Sequence, residues 1–201
     1  MSILYDEGQQ AIATESRRVL DARASKDRLL KLLEQVGEHD APFWDTAVEQ
    51  GWTALAVPEE HGGLGLGLVE LGLVAQASGA ATAGAPFLTP GYGLTHALVA
   101  AGKADLAAQY LPQIAAGEAR GAVAFAEGTD ILPASPDTKF ADGKLTGSKP
   151  AVPGGLKAEL ALVWASGANG PVLAIAELAG AAREAVSSFD NSRLYADLTF
   201  A

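Results

Sequence analysis

The first 118 residues keep a helical rhythm of apolar and polar positions. Across residues 5–24, Ile12, Val19, Leu20 and Ala22 recur among Gln, Glu and Arg, the spacing of an amphipathic helix. Lys26–Val36 repeats it with Leu29, Leu30, Leu32, Leu33 and Val36, and Gly37 stands where a C-cap belongs. Asp40 is placed to cap Ala41–Gln50, with Pro42 in the first turn and Gly51 just past the end. Phe43, Trp44 and Val48 would face the core. In Leu68–Ala80 only Glu70, Gln76 and Ser78 interrupt the apolar run, which predicts a central buried helix. Pro86, Pro90 and three glycines predict a broken connection over 81–93. Thr95–Ala101 then reads as a short helix ending at Gly102, and Lys103–Ala116 as one kinked by Pro112 and ended by Gly117.

Beyond Gly117 the rhythm becomes that of strands. Gly121–Phe125 is short and apolar. Asp142-Gly143 between Lys139–Ala141 and Lys144–Thr146 is a hairpin signal. Leu160–Ala165 suits a strand buried on both faces, and Asn169-Gly170 turns it into Pro171–Ala176. Val186–Phe189 and Leu194–Phe200 are further strand candidates. Helices followed by strands, without alternation, argue against a doubly wound sheet. The expected class is α+β: an all-α helical domain over 1–118 and a small β-barrel-like domain over 119–201.

Between the two halves of the helical region lies Gly51–Gly67, with Pro58 and with Gly62, Gly63, Gly65 and Gly67. It cannot be helical, because Pro58 lacks a backbone N–H and the glycines are conformationally free. It is not a dinucleotide loop either. Counted from Gly63, the third glycine of a Gly-x-Gly-x-x-Gly pattern would fall on Leu68.

Composition narrows the classes. The 201 residues are 49% hydrophobic and contain no cysteine, so no disulfide framework or thiolate chemistry is available. Net charge is −10, and acidic groups outnumber basic ones in both halves, so neither offers a footprint for nucleic acid or an anionic membrane. No apolar run reaches the length of a membrane span, and the first residues lack a signal-peptide pattern. A soluble cytoplasmic protein is expected. His39, His61 and His96 have no second ligand at metal-site spacing, and no Gly-x-Ser-x-Gly elbow occurs. The adjacent carboxylates Glu59-Glu60 read as solvated. Trp44, Trp52 and Trp164 read as core.

Several stretches resemble the acyl-CoA dehydrogenase family. Gly51-Trp52 followed by Val57-Pro58-Glu59-Glu60-x-Gly62-Gly63-Leu64-Gly65 looks like its N-terminal-domain signature. Tyr110–Glu118 resembles the segment that closes the helical domain. Gly121–Glu127 resembles the first β-domain strand, which normally ends in Thr-Glu-Pro. Asp142-Gly143-x-Leu145-x-Gly147-x-Lys149 is similar to the family's hairpin, and Ser187-Ser188-Phe189-Asp190-x-Ser192-Arg193 to its late Asp-x-Thr-Arg segment.

The resemblance implies α,β-dehydrogenation of an acyl-CoA thioester of fatty-acid or steroid side-chain type. Hydride passes to FAD and electrons pass to an electron-transfer flavoprotein, in a homo- or hetero-oligomer. It places the cofactor near Phe125, Ala126, Thr129, Ala151, Val152 and Pro153, and the acyl chain near Leu88, Thr89 and Tyr92. Three departures accompany it. The sequence stops at Ala201, near the end of the family's middle domain, and no residue inherits the catalytic carboxylate of the C-terminal helical bundle. Ala126 replaces a flavin-bonding hydroxyl, with Thr129-Asp130 a shortened stand-in. Ala151 stands at the family's Trp and Pro153 at its Thr or Ser, so the flavin loses a ring cover and a hydroxyl. Phe125, Trp164 and the amides of Gly154 and Gly155 are the groups that could rebuild the site. FAD binding is therefore expected to be weak or lost, and the alternative function is that of a non-catalytic, flavin-poor partner subunit.

Overall fold

The computed structural model describes residues 5–35, 37–83, 86 and 88–201, apart from the side chain of Thr89. Val36 and that side chain therefore lie outside the described residues.

Among the described residues, six α-helices come first: α1 (Glu7–Arg23), α2 (Lys26–Glu34), α3 (Ala41–Glu49), α4 (Leu68–Ala80), α5 (Leu88–Ala101) and α6 (Ala104–Ala115). Seven strands follow: β1 (Gly121–Ala124), β2 (Lys139–Ala141), β3 (Lys144–Val152), β4 (Leu160–Gly167), β5 (Gly170–Glu177), β6 (Ala182–Ala185) and β7 (Ala196–Phe200). The class is α+β. The strands form one curled sheet of order β1-β4-β2-β3-β7-β6, with β5 on the other side of β4. β1 and β2 run parallel to β4 and share its edge, β1 on Leu160–Val163 and β2 on Ser166. The remaining pairings are antiparallel.

Local chemistry explains most boundaries. Asp6 caps α1 through a reciprocal pair of bonds with Gln9, and Ser25 and Asp40 accept from Arg28 N–H and Phe43 N–H. The hairpin turn uses Asp142 and Gly143, both with positive φ (51° and 75°). The second turn is displaced by one residue from its expected place. Gly167 pairs with Gly170, so Ala168-Asn169 form the loop. Pro171 is accommodated because β5 pairs only with β4.

In the glycine-rich loop, Gly63 is obligatory, since a Cβ there would lie 1.9 Å from the carbonyl oxygen of Val57. The loop folds back on residues 54–57. Leu64 N–H donates to Ala54 O, Gly65 N–H to Val57 O and Leu66 N–H to Leu55 O, at 3.0, 2.9 and 2.7 Å. The amides that would cradle a phosphate are thus spent on the chain itself.

Three expectations are corrected. Helix α5 starts at Leu88, not Thr95. Pro90 occupies its third position, where a missing N–H costs nothing because it has no intrahelical acceptor. Gly121 lets β1 press against that helix, since an added Cβ there would meet Leu94 Cδ2 at 3.3 Å and Gly91 Cα at 3.4 Å. Val186–Phe189 is not a strand, and β6 is instead Ala182–Ala185. That strand is polar because it lies at the sheet edge, where little of it is buried. Helix α4 is not enclosed. Leu71, Leu73, Val74, Ala77 and Ser78 are buried, whereas Leu68 and Val69 are 70% and 46% exposed.

The core has three parts. Val19, Leu20, Phe43, Trp52, Leu71 and Val74 pack between α1, α3 and α4, with the Phe43 and Trp52 ring centroids 6.0 Å apart. Leu94, Leu98, Leu111 and Ile114 meet Leu160 and Leu162 of β4, which joins helices to sheet. Ala122, Val152, Val163, Leu178 and Leu198 fill the sheet. Trp44 Nε1 donates to Gly117 O at 3.0 Å, a further tie across the boundary.

Candidate functional site

A cleft of about 810 Å³ opens between the helices and the sheet. One wall is α2, which buries none of its residues. Its apolar stripe of Leu29, Leu32 and Leu33 faces this space instead of a core. Ala75, Ser78 and Gly79 from the C-terminal half of α4 and Leu88 and Pro90 of α5 also line it. From the sheet side come Val123, Pro153, Phe189, Asp190, Ser192 and Arg193.

The turn Asp190–Arg193 is rigidly built. Ser192 Oγ donates to Asp190 Oδ1 at 2.5 Å, Ser192 N–H to the same oxygen at 3.1 Å, and Arg193 Nε to Oδ2 at 2.9 Å. These bonds, Ser192's first, hold the Asp190 carboxyl below its ordinary range despite partial burial. Asp190 is the carboxylate among the described lining residues, and so stabilised it is a weak base for a carbon acid. Asn191 Nδ2 donates to Leu33 O at 2.9 Å and ties the turn to α2. The cleft can hold an apolar body beside a guanidinium.

The sequence-derived residues separate. Leu88 and Pro153 line the cleft. Tyr92 is 8% exposed in the helical core, and burial pushes its hydroxyl pKa well above the ordinary value. Phe125 is half-buried against the helix–sheet core, Ala126 is half-buried and Thr129 exposed. Val152 is buried in the sheet core. Ala151 sits exposed on a β-bulge with φ of 47°, its N–H donating to Asp197 Oδ1 at 2.7 Å.

The groups that could rebuild a flavin site are also engaged. Gly154 N–H donates to Arg193 O at 2.8 Å and Gly155 N–H to Val152 O at 3.0 Å. Trp164 Nε1 donates to Pro133 O at 2.8 Å. Ala126, Ala151 and Pro153 supply no ring cover and no hydroxyl, and the amides of Gly154 and Gly155 and the Trp164 indole N–H are spent within the protein, a poor fit to an isoalloxazine ring.

Sequence reasoning passed over Glu127 and Ser78. Glu127 accepts from Lys149 Nζ at 2.7 Å and from the N–H groups of Asp137 and Thr138 at 2.5 and 2.9 Å. Burial pushes its carboxyl up, but the bonds from Lys149 and Thr138 outweigh that and bring it to about 2. The signal available was the Gly-x-Lys of the hairpin facing the Glu of the first strand. Ser78 was visible only as a polar break in an apolar helix.

Comparison with known proteins gives this geometry a family. Residues 6–118 match the family model described as acyl-CoA dehydrogenase, N-terminal domain. The chain belongs to the acyl-CoA dehydrogenase family. It is 35% identical over 152 residues to acyl-CoA dehydrogenase FadE28 of Mycobacterium tuberculosis, a match covering 74% of this chain and 43% of that protein. Two solved structures share the fold. The Tcur3481-Tcur3483 steroid ACAD G363A variant is 26% identical with a TM-score of 0.77, over 97% of this chain and 55% of that one. The ChsE4-ChsE5 complex from Mycobacterium tuberculosis is 21% identical with a TM-score of 0.85, over 100% of this chain and 55% of that one. The chain thus spans about half the length of these family members. No described helix is long and apolar enough to cross a membrane.

Proposed function

We propose that this chain is a flavin-poor, acyl-thioester-binding member of the acyl-CoA dehydrogenase family, acting as the non-catalytic partner of a flavin-bearing chain. The apolar cleft takes the acyl part of the thioester, with Leu88 and Arg193 among its lining. Of the other residues expected at the acyl chain, Tyr92 lies in the helical core and not on the cleft, and the side chain of Thr89 lies outside the described residues. The α,β-dehydrogenation, and electron delivery to an electron-transfer flavoprotein, belong in this reading to the partner.

The observation that carries the reading is the state of the flavin positions. Ala151 and Pro153 offer neither ring cover nor hydroxyl, and the amides of Ala151, Gly154 and Gly155 already have acceptors. These amides could donate to a flavin only by giving up those bonds. The names of the two structural relatives, each joining two proteins, support a hetero-oligomer.

The test is calorimetric titration of the purified chain with octanoyl-CoA, without flavin. Saturable binding that weakens at least tenfold in Leu32→Asp supports the reading. Absence of binding, or binding indifferent to Leu32→Asp, removes the cleft as the acyl site.

A further inference from the structure

Helix α4 has the composition of an interior helix and is left half uncovered. Of its thirteen residues only Glu70, Gln76 and Ser78 are polar. Leu71, Leu73, Val74 and Ala77 lie in the core. On the other side Leu68, Val69, Gly72 and Gln76 are exposed. The apolar surface begins before the helix, with Leu64 and Leu66 of the glycine-rich loop 48% and 36% exposed. Residues 64–69 carry no polar side chain at all. Single exposed leucines are ordinary, but a continuous run of this kind marks a surface that another molecule covers.

Leu68, Gly72 and Gln76 recur at every fourth position and so form one stripe of the helix. Nothing lies within 4 Å of where a Cβ of Gly72 would be. The stripe therefore has an open notch between two side chains, a seat for a large apolar side chain of a helix packed across it.

Carboxylates flank the patch. Glu59 and Glu60 are exposed, and Glu59 stands beside the loop, its Cγ 3.6 Å from where a Cβ of Gly65 would be. Glu70 follows Val69 and accepts from Gln9 Nε2 at 2.8 Å, which brings the exposed Asp6 and Glu7 at the start of α1 to the same end of α4. Residues 51–102 contain no lysine or arginine. A second copy of the chain on this face would set these carboxylates against one another. A helix with cations around its apolar face would pair with them.

We propose that this face is the docking surface for an amphipathic helix of a different protein chain. That helix covers Leu64–Val69, seats a large side chain in the Gly72 notch and carries lysines or arginines on its flanks. Apolar burial supplies the affinity, and the carboxylates select the hetero-complex over self-association. Leu64, Leu66, Leu68, Val69 and Gly72 do not line the cleft, and the proposal is independent of the acyl-thioester reading.

The probe is a fluorescein-labelled helical peptide of leucine and lysine, patterned LKKLLKL and repeated, compared with the same peptide carrying glutamate for lysine. Binding to the full chain is followed by fluorescence anisotropy. The parent is expected to bind the lysine peptide, more weakly as salt is added, and the glutamate peptide at least about tenfold less tightly. Leu68→Asn with Val69→Thr alters no charge and should weaken the lysine peptide about tenfold or more, the loss of one buried apolar side chain. Gly72→Leu adds apolar surface but fills the notch, so it should weaken binding, whereas a merely sticky patch would hold the peptide more tightly. Four results would overturn the proposal: no binding of the lysine peptide, equal binding of the two peptides, indifference to Leu68→Asn with Val69→Thr, or undiminished binding by Gly72→Leu. Sedimentation of the chain alone and flotation with neutral lipid vesicles test the other occupants. A dimer, or vesicle binding, abolished by Leu68→Asn with Val69→Thr would give the face to a second copy or to lipid and overturn the proposal as well.

Discussion

Lys149 Nζ lies 2.7 Å from Glu127 Oε1, with the lysine side chain wholly buried and that of the glutamate 12% exposed. The ammonium also donates to Phe125 O at 3.1 Å. The pair fastens β3 to the segment that follows β1. Through the Asp137 and Thr138 amides, the same carboxylate closes both ends of the intervening loop.

Removing one member should therefore cost more than removing both. Lys149→Met leaves a largely buried carboxylate without its cation, a change of about 3–5 kcal/mol. For a chain of this size that lowers Tm by roughly 6–20 °C. Lys149→Met with Glu127→Gln should recover part of the loss. Thermal denaturation of the two variants checks this, and a milder single than double variant would contradict it.

The same carboxyl sets an acid limit. Its folded pKa of about 2 is below the ordinary 4.5, so its stabilisation is complete above pH 4.5 and is lost as pH falls towards 2. His39 acts in a higher window. Burial first, then the Arg120 guanidinium with Nη1 at 2.8 Å from Nε2, depresses its pKa below 6.5. Neutral His39 is favoured in the fold, so this contribution is present above pH 6.5 and declines as pH falls through the lowered value. Denaturant midpoints from pH 8 to 3 should show two declines, and His39→Gln should remove only the upper one.

Two glycines should respond oppositely to alanine. Gly63→Ala drives a methyl into Val57 O and should destabilise by about 2 kcal/mol or more. Gly72→Ala, exposed within α4 with nothing near its Cβ, should stabilise by roughly 0.5–1 kcal/mol. Urea midpoints for both variants test the assignment of the loop glycines as structural.

The change from helices to strands near Gly117 was legible because side-chain periodicity follows local geometry directly. So was the Asp142-Gly143 turn, which demands positive φ twice. The start of α5 was hidden because proline and glycine read as breakers, although Pro90 sits in the first turn, where no N–H is needed. Strand β6 was hidden because an exposed edge leaves no alternation to read. The cleft was the least legible feature. An amphipathic leucine stripe looks the same whether it meets a core or a ligand space, as in α2.

Affinity for FAD tests the central claim most directly. The purified chain is titrated into FAD and flavin fluorescence is followed, for the parent and for Ala151→Trp with Pro153→Thr. The lost stacking contact and hydroxyls correspond to roughly 1.5–4.5 kcal/mol, or about one to three decades in Kd. The parent should bind weakly or not at all, and the double variant should bind at least tenfold more tightly. A tight one-to-one complex with the parent chain would contradict the account and return the flavin chemistry to this subunit.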